Sequence, residues 1–278
     1  MSPRLRGLLK AVSPEVVKGL YRESRLVWRS FTRVFRNVAR CQVRGHEIQI
    51  LVSSEIEQER AETYLSKEPE TLDWLESNLS EKDVLFDVGA NIGLYSLYAA
   101  KISPQCQIYA FEPAAHNYVR LCQNICINKA RHIVPCNFPL ADREAFAFLH
   151  VSSLEAGSAL HSFGEPSIYG NGSAPVAIRQ GALSTTLDTL VLKHQIPQPT
   201  LLKIDVDGTE EHILGGAQSI LENKALRSVL VEVNLTDCKE AESLAGKMKR
   251  FGFTLAKRSE WLSDLYGVRS QNYVFDRQ

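Results

Sequence analysis

Several acidic residues and one lysine stand at the ends of apolar runs, where an ordinary core segment would simply stop. "FDVGANIG" sets Asp87 two residues before Gly89, with Asn91 and Gly93 following. "YAFEP" ends its run on Glu112, nineteen residues after Gly93. "LLKIDVDGTEEHILGGA" delivers Lys203, Asp205 and Asp207 in alternation before Gly208, with Glu210 just beyond, and "VLVEVN" carries Glu232. A carboxylate beside a glycine turn is poorly suited to a pyrophosphate, and the G-x-G-x-x-G spacing of a dinucleotide site is missing. A fixed anion there suits a cationic or amino-bearing ligand. An acid about twenty residues further on is placed to accept hydrogen bonds from both ribose hydroxyls.

These residues need elements to hold them. The pattern predicts strand 84–88, helix 92–102, strand 106–111, helix 115–128 and strand 132–138, an alternation that makes a parallel sheet with right-handed crossovers. Residues 139–183 are rich in Gly, Ser and Pro and read as a functional insertion or lid containing a hairpin. "TTLDTLVLKHQ" reads as a short helix, "TLLKIDVDG" as a strand, 210–222 as a helix, "SVLVEVN" as a strand and 238–250 as a helix. "FTLAKR" and "NYVFDR" close the chain as an antiparallel pair. Upstream, "CQVRGHEIQILV" reads as a hairpin turning near Gly45, and 55–79 as one further helix. In an open α/β sheet the C-terminal strand ends face the ligand crevice, which is where Asp87, Glu112, Asp205 and Glu232 fall. Strand alternation puts Lys203, Asp205 and Asp207 on one side.

Composition fits a soluble globular protein, with 278 residues, 44% of them hydrophobic, and no apolar window long enough to span a membrane. The six cysteines form no C-x-x-C pair and read as buried thiols of a reducing compartment rather than a metal site. Lysine plus arginine equal aspartate plus glutamate, yet residues 1–45 hold eleven bases and two acids, leaving the body acidic. An acidic body offers no field for nucleic-acid phosphates. Arg22, Arg25, Arg29, Arg33, Arg36 and Arg40 recur at helical spacing opposite Val17, Leu20, Val27, Trp28, Phe31, Val34, Phe35 and Val38. Residues 1–44 are therefore expected to be a basic amphipathic helical arm, and 45–278 the catalytic domain, with its core at about 80–260. The arm's apolar face packs on the domain, docks a second subunit to make a homodimer, or lies on an anionic membrane. An arginine-rich terminus is also the composition of a mitochondrial presequence.

S-adenosylmethionine carries an α-amino group and a sulfonium and no phosphate, which is what Asp87 and Glu112 ask for. D-x-G-A-N-x-G is also the pattern of the first motif of Rossmann-like methyltransferases. "FDVGANIG", "YAFEP" and "KIDVDGTEEHILGGA", in this order, resemble the FkbM family of S-adenosylmethionine-dependent methyltransferases. The last segment is similar to the family's K-I-D-V-E-G-x-E, with Asp207 in place of a glutamate. "LADREAFAFLHV", Gly157-Ser158-Ala159 and "VLVEVN" resemble it more weakly, and the resemblance covers roughly residues 45–260. It implies a Rossmann-like class I methyltransferase fold, a mostly parallel seven-stranded sheet with helices on both faces. It also implies methylation of a hydroxyl oxygen on a sugar, glycolipid or polyketide.

The expected roles follow. Asp87, Gly89, Asn91 and Gly93 hold the methionine part of the cofactor, Glu112 its ribose, and Asp142 (or nearby Asn137) its adenine amino group. Asp205 is the expected base, with Lys203 and Glu232 orienting the acceptor or tuning charge, and Asp207 and Glu210 touching it. His161 and His212 are alternative bases, and the carboxylates are alternatively structural ion pairs or strand caps. No metal is expected, since adjacent carboxylates without histidine make only a faint divalent site. A catalytically silent interaction module and a nicotinamide-dependent oxidoreductase are the competing functions. The cytoplasm is the expected location, with membrane association through the arm as a variant.

Overall fold

The computed structural model describes residues 37–278 apart from 167, 170, 171, 174, 235–237, 261 and 264–268. The arm before Asn37 lies outside the described residues. Its expected last turn is strand instead: β1 (Asn37–Val43) pairs with β2 (His46–Val52) about a turn at Arg44 and Gly45. Ala39, Cys41 and Val43 point inward while Arg40 and Gln42 stay exposed, a period of two that an arginine at 40 satisfies as well as a period of 3.6.

The expected helix over 55–79 is two, α1 (Glu55–Glu62), capped by Ser54, and α2 (Pro69–Asn78), which has proline in its first turn. The core then alternates as expected: β3 (Val84–Val88), α3 (Leu94–Ile102), β4 (Gln107–Phe111), α4 (Ala115–Asn128) and β5 (Ile133–Cys136). The 139–183 stretch is more ordered than its composition suggests. β6 (Ala145–Val151), β7 (Ser162–Phe163) and β10 (Ile178–Ser184) form an antiparallel sheet in the order β10-β6-β7, with a small ladder of β8 (Ile168–Tyr169) and β9 (Gly172–Ser173) between. α5 (Leu187–Leu192) and β11 (Leu201–Ile204) follow. The expected helix 210–222 is split into α6 (Glu210–Gly215) and α7 (Gln218–Glu222), and the break at Gly216 admits glycine alone, since a Cβ there would sit 2.3 Å from the Ala141 carbonyl oxygen. β12 (Ser228–Asn234), α8 (Cys238–Arg250), β13 (Phe253–Arg258), β14 (Leu262–Ser263) and β15 (Arg269–Arg277) complete the chain.

The main sheet runs β13-β15-β12-β11-β3-β4-β5, with β14 on β15. β12, β11, β3, β4 and β5 are mutually parallel, and β15 inserts antiparallel between β12 and β13. This is a mostly parallel seven-stranded sheet with helices on both faces, the architecture expected from the sequence. The chain leaves β3 toward β4 on one side and returns to β11 on the other, so the switch point lies between β3 and β11.

The pleat sorts side chains between two cores. Leu85, Leu201, Leu230 and Val274 pack with Ile48, Leu72, Leu97 and Leu121 on one face. Phe86, Leu202, Val229, Val231 and Phe275 pack with Leu187, Ile213, Leu244 and Met248 on the other. By the same parity, Asp87, Lys203 and Glu232 fall on the first face, beside α2 and α3. Of Cys41, Cys106, Cys122, Cys126 and Cys136, all free thiols, Cys106 is buried, Cys126 is exposed and the other three are half-buried, so the expectation of buried thiols holds for one of these five.

At the switch point β3 and β11 approach so closely that a Cβ on Gly89 would lie 1.7 Å from the Asp205 carbonyl oxygen. Gly93, also at positive φ, faces Leu121 of α4 at 2.5 Å, so it admits a helix rather than the sheet. Gly89→Ala should therefore cost about 3 kcal/mol in urea denaturation through overpacking plus backbone strain. Gly45→Ala, at positive φ with nothing within 4 Å, should cost only about 1–2 kcal/mol.

Candidate active site

The turn after β3 uses up its own donors. The Gly89 and Ala90 N–H groups both donate to the Phe111 carbonyl, each at 3.0 Å, and that of Gly93 donates to Ala90 at 2.8 Å. The Asn91 N–H donates to Glu112 Oε2 at 2.8 Å, and the Ile92 N–H to Asn91 Oδ1 at 2.9 Å. No backbone donor from 89 to 93 is left for a phosphate oxygen, which is the opposite of a pyrophosphate cradle.

Lys203 is the centre of the site and is 1% exposed. Its Nζ lies 2.8 Å from Asp205 Oδ2 and 3.6 Å from Asp87 Oδ1, and stacks 5.1 Å from the Tyr95 ring centroid. Burial would lower its pKa, but Asp205, Asp87 and Glu68 outweigh burial and raise it. Asp87 does not present its carboxylate at the turn, as its place in the motif implies; it is 1% exposed and lies beneath the turn. Ser96 donates to one of its oxygens at 2.5 Å, and the other has no hydrogen-bond partner.

Asp205 and Glu232 form a carboxyl pair. The backbone register sets Ile204 beside Val231, which brings the next residues of β11 and β12 together. Burial would raise Asp205, but the Lys203 ammonium and a hydrogen bond from Glu232 hold it below its ordinary value. Glu232 is pushed well above its own by burial and by the Asp205 charge, so it carries the proton, and it also accepts Ser270 Oγ–H at 2.8 Å. Burial raises Glu112 to about 7 despite N–H donors from Ala114 and Asn91. Each Glu112 oxygen accepts one of these, at 2.8 Å, leaving a further lone pair on each.

β11 ends at Ile204, so alternation fails at Asp207, whose φ is 54°. Its carboxylate accepts the Leu160 N–H at 2.7 Å and is raised to about 6 by burial and Asp205. Glu210 is buried, accepts the Gly208 N–H at 3.0 Å, and burial raises it to about 7. Asp207 thus holds the 152–160 loop, which Asn91 Nδ2 and Asn117 Nδ2 also hold through the Ser158 carbonyl, and Arg60 through that of Gly157. The loop belongs to the stretch whose composition reads as a lid, and these bonds fasten it over the turns.

The remaining candidates differ in where they stand. Asp142 pairs with Arg143 and His212 at 3.4 Å and does not line the cavity. His212, its partner, is exposed. Asn137 donates to the Glu112 and Pro113 carbonyls. His161 lines the cavity, but its Nδ1 accepts the Ser152 N–H at 3.2 Å and burial lowers it to about 4, so it is a poor base. The cavity beside Glu112 is apolar, lined by Val88, Phe111, Phe138, Leu140 and Ile213 among others. Sequence reasoning misses Glu68, 4% exposed at the start of α2, because it falls inside the stretch 55–79 read as one helix, where acidic and apolar positions are mixed. Among the described residues no three His, Cys, Asp or Glu side chains are placed to hold one metal ion. No helix of the described residues is long and apolar enough to cross a membrane.

The cluster has a clear stability signature. Glu232 has a folded pKa above its ordinary 4.5, so its contribution is full below that value and is lost as pH rises. Glutamine mimics the protonated acid, donating to Asp205 and accepting from Ser270. Glu232→Gln should therefore keep or raise stability at pH 8 and flatten the loss above pH 4.5, whereas Asp205→Asn should cost about 3 kcal/mol by stripping Lys203 of its nearest partner. Thermal melts across pH read both.

Residues 87–255 match the family described as methyltransferase FkbM domain. The chain is 28% identical over 188 residues to the hexuronic acid methyltransferase AglP of Haloferax volcanii, covering 66% of this chain and 70% of that protein. It is 25% identical over 197 residues to the 31-O-demethyl-FK506 methyltransferase FkbM of Streptomyces tacrolimicus, covering 64% and 75%. A crystal structure of a methyltransferase FkbM from Methylobacillus flagellatus aligns at a TM-score of 0.47 and 13% identity, over 70% of this chain and 44% of that one.

Proposed function

This chain belongs to the FkbM methyltransferase family, and we propose that it methylates a hydroxyl oxygen of a saccharide, glycolipid or polyketide-type acceptor. It is an S-adenosylmethionine-dependent methyltransferase, and its site fits that cofactor: the donors of the turn are spent, and a buried Asp87 oxygen is left without a hydrogen bond. When bound, S-adenosylmethionine supplies a methyl group on a sulfonium.

In this reading the Gly89–Gly93 turn seats the methionine part, with Asn91 fixing the turn to the lid. Asp87 supplies negative charge from beneath rather than by surface contact. Glu112 accepts the ribose hydroxyls on its free lone pairs. The apolar cavity suits the flat faces of adenine, and Asp142, paired with His212, is not part of its lining.

The observation that carries oxygen methylation is the Asp205–Glu232 pair beside Lys203. Asp205, kept ionised, accepts a hydrogen bond from the acceptor hydroxyl and holds its oxygen for in-line attack. Its low proton affinity makes it an orienting group first. The proton moves to the pair as the oxygen gains its new bond and becomes acidic. Lys203 keeps the pair in this state, and Glu210, with Asp207, supports the turn against which the acceptor rests. One relative is named for an O-demethyl acceptor and the other for a hexuronic acid, which supports hydroxyl- and sugar-bearing acceptors here.

Calorimetry should show binding of S-adenosylmethionine without comparable binding of NAD, and Glu112→Ala should lose about 1–3 kcal/mol of it. With labelled cofactor and a panel of saccharide acceptors, Asp205→Asn should cut turnover by roughly 10²–10⁴ while leaving cofactor affinity nearly unchanged. Turnover within severalfold of wild type would reduce Asp205 to a structural partner of Lys203.

A further inference from the structure

The helix that follows Glu112 begins without a cap of its own. The residue before α4 is Ala114, which has no side-chain oxygen to offer the first N–H groups of the helix. Ala114 is fully buried because the β10-β6-β7 sheet rests on it: Leu149 and Val151 of β6, with Phe163 of β7, form a small apolar cluster around it. A polar cap at 114 would be buried against that cluster. The cap comes instead from Gln180 of β10, which stands opposite Leu149 in the strand register. Its Oε1 accepts the Ala115 N–H at 3.1 Å, and its Nε2 donates to the Pro113 carbonyl at 2.8 Å.

One amide side chain therefore spans two successive peptide planes. The Pro113 carbonyl shares its plane with the Ala114 N–H, and that N–H is the donor to Glu112 Oε1 at 2.8 Å. Holding the carbonyl fixes the tilt of the plane, and the tilt sets where the Glu112 carboxylate is held. Asn137, just beyond β5, donates to the same carbonyl at 3.1 Å. Pro113 and Leu149 both line the apolar cavity, so Gln180 also ties two of its walls together. We propose that Gln180 is a positioning residue for the cofactor: it holds the Pro113–Ala114 plane so that Glu112 meets the ribose hydroxyls. The inference rests on the reading of Glu112 as the ribose acid and assigns part of that recognition to the inserted sheet.

The test uses the full chain and calorimetry with S-adenosylhomocysteine, the demethylated product, and its 2′-deoxy and 3′-deoxy analogues. Wild type should bind the parent about tenfold more tightly than either analogue, the scale of one hydrogen bond to a carboxylate. Gln180→Met keeps the length of the side chain and loses both hydrogen bonds. It should narrow each ratio to about twofold, mainly by weakening the parent. Gln180→Glu keeps an acceptor for Ala115 but turns a carboxylate oxygen on the Pro113 carbonyl, and it should narrow the ratios likewise. Thermal melts establish which variant is folded. Unchanged ratios in either folded variant, or equal weakening of all three ligands, overturn the inference and reduce Gln180 to a brace of the inserted sheet. Wild type that does not distinguish the parent from its analogues overturns the ribose reading and the inference together.

Discussion

A lysine with 1% exposure, held by two carboxylates from different strands and stacked on a tyrosine, is the constraint that organises this molecule. A buried ammonium is tolerable only when its charge is met at short range. Lys203 meets that condition by drawing Asp87 of β3 and Asp205 beyond β11 to one point, with Tyr95 of α3 as the floor. Asp205 in turn draws Glu232 of β12, which is fixed by Ser270 of β15. Four neighbouring strands are thereby tied at their ligand-facing ends on one side of the sheet. The apolar cores fix the sheet's layers, and this polar chain fixes the geometry at its mouth.

The turn after β3 answers a question about ligand type that its glycines alone leave open. Strand–glycine–helix turns commonly offer their N–H groups to phosphates. Here each N–H from 89 to 93 is consumed by Phe111, Glu112, Asn91 or Ala90. Gly89 serves the approach of two strands, with no room for a Cβ beside Asp205. The turn is a rigid wall lying over negative charge, which matches a sulfonium cofactor and not a dinucleotide.

Much of this was legible in the sequence, because an apolar run that stops abruptly on an acid marks a buried strand reaching a polar crevice. β3, α4, β12 and α8 fall on the expected residues, and Lys203 and Asp205 do lie on one side. What escaped depended on neighbours distant in the chain. Asp207 bends into a left-handed conformation to reach Leu160, and no local signal announces that. Asp142 faces His212 because α6 packs beside it, while Glu68 enters the site by a fold-level return of the chain. The antiparallel β10-β6-β7 sheet was hidden by its glycines and serines, and β1 by arginines that fit either period.

The lid is fastened mainly through its own main chain. The frame's Asn91, Asn117, Arg60 and Asp207 bind the Ser158 carbonyl, the Gly157 N–H and carbonyl, and the Leu160 N–H. Apart from the Ser158 hydroxyl, which meets His116 and His161, the loop's side chains take little part in that fastening. Evolution can therefore rewrite the lid's outward residues without loosening its closure. The same frame is free to diversify among acceptors by drift in one short loop, while its anchors stay under a tighter rule.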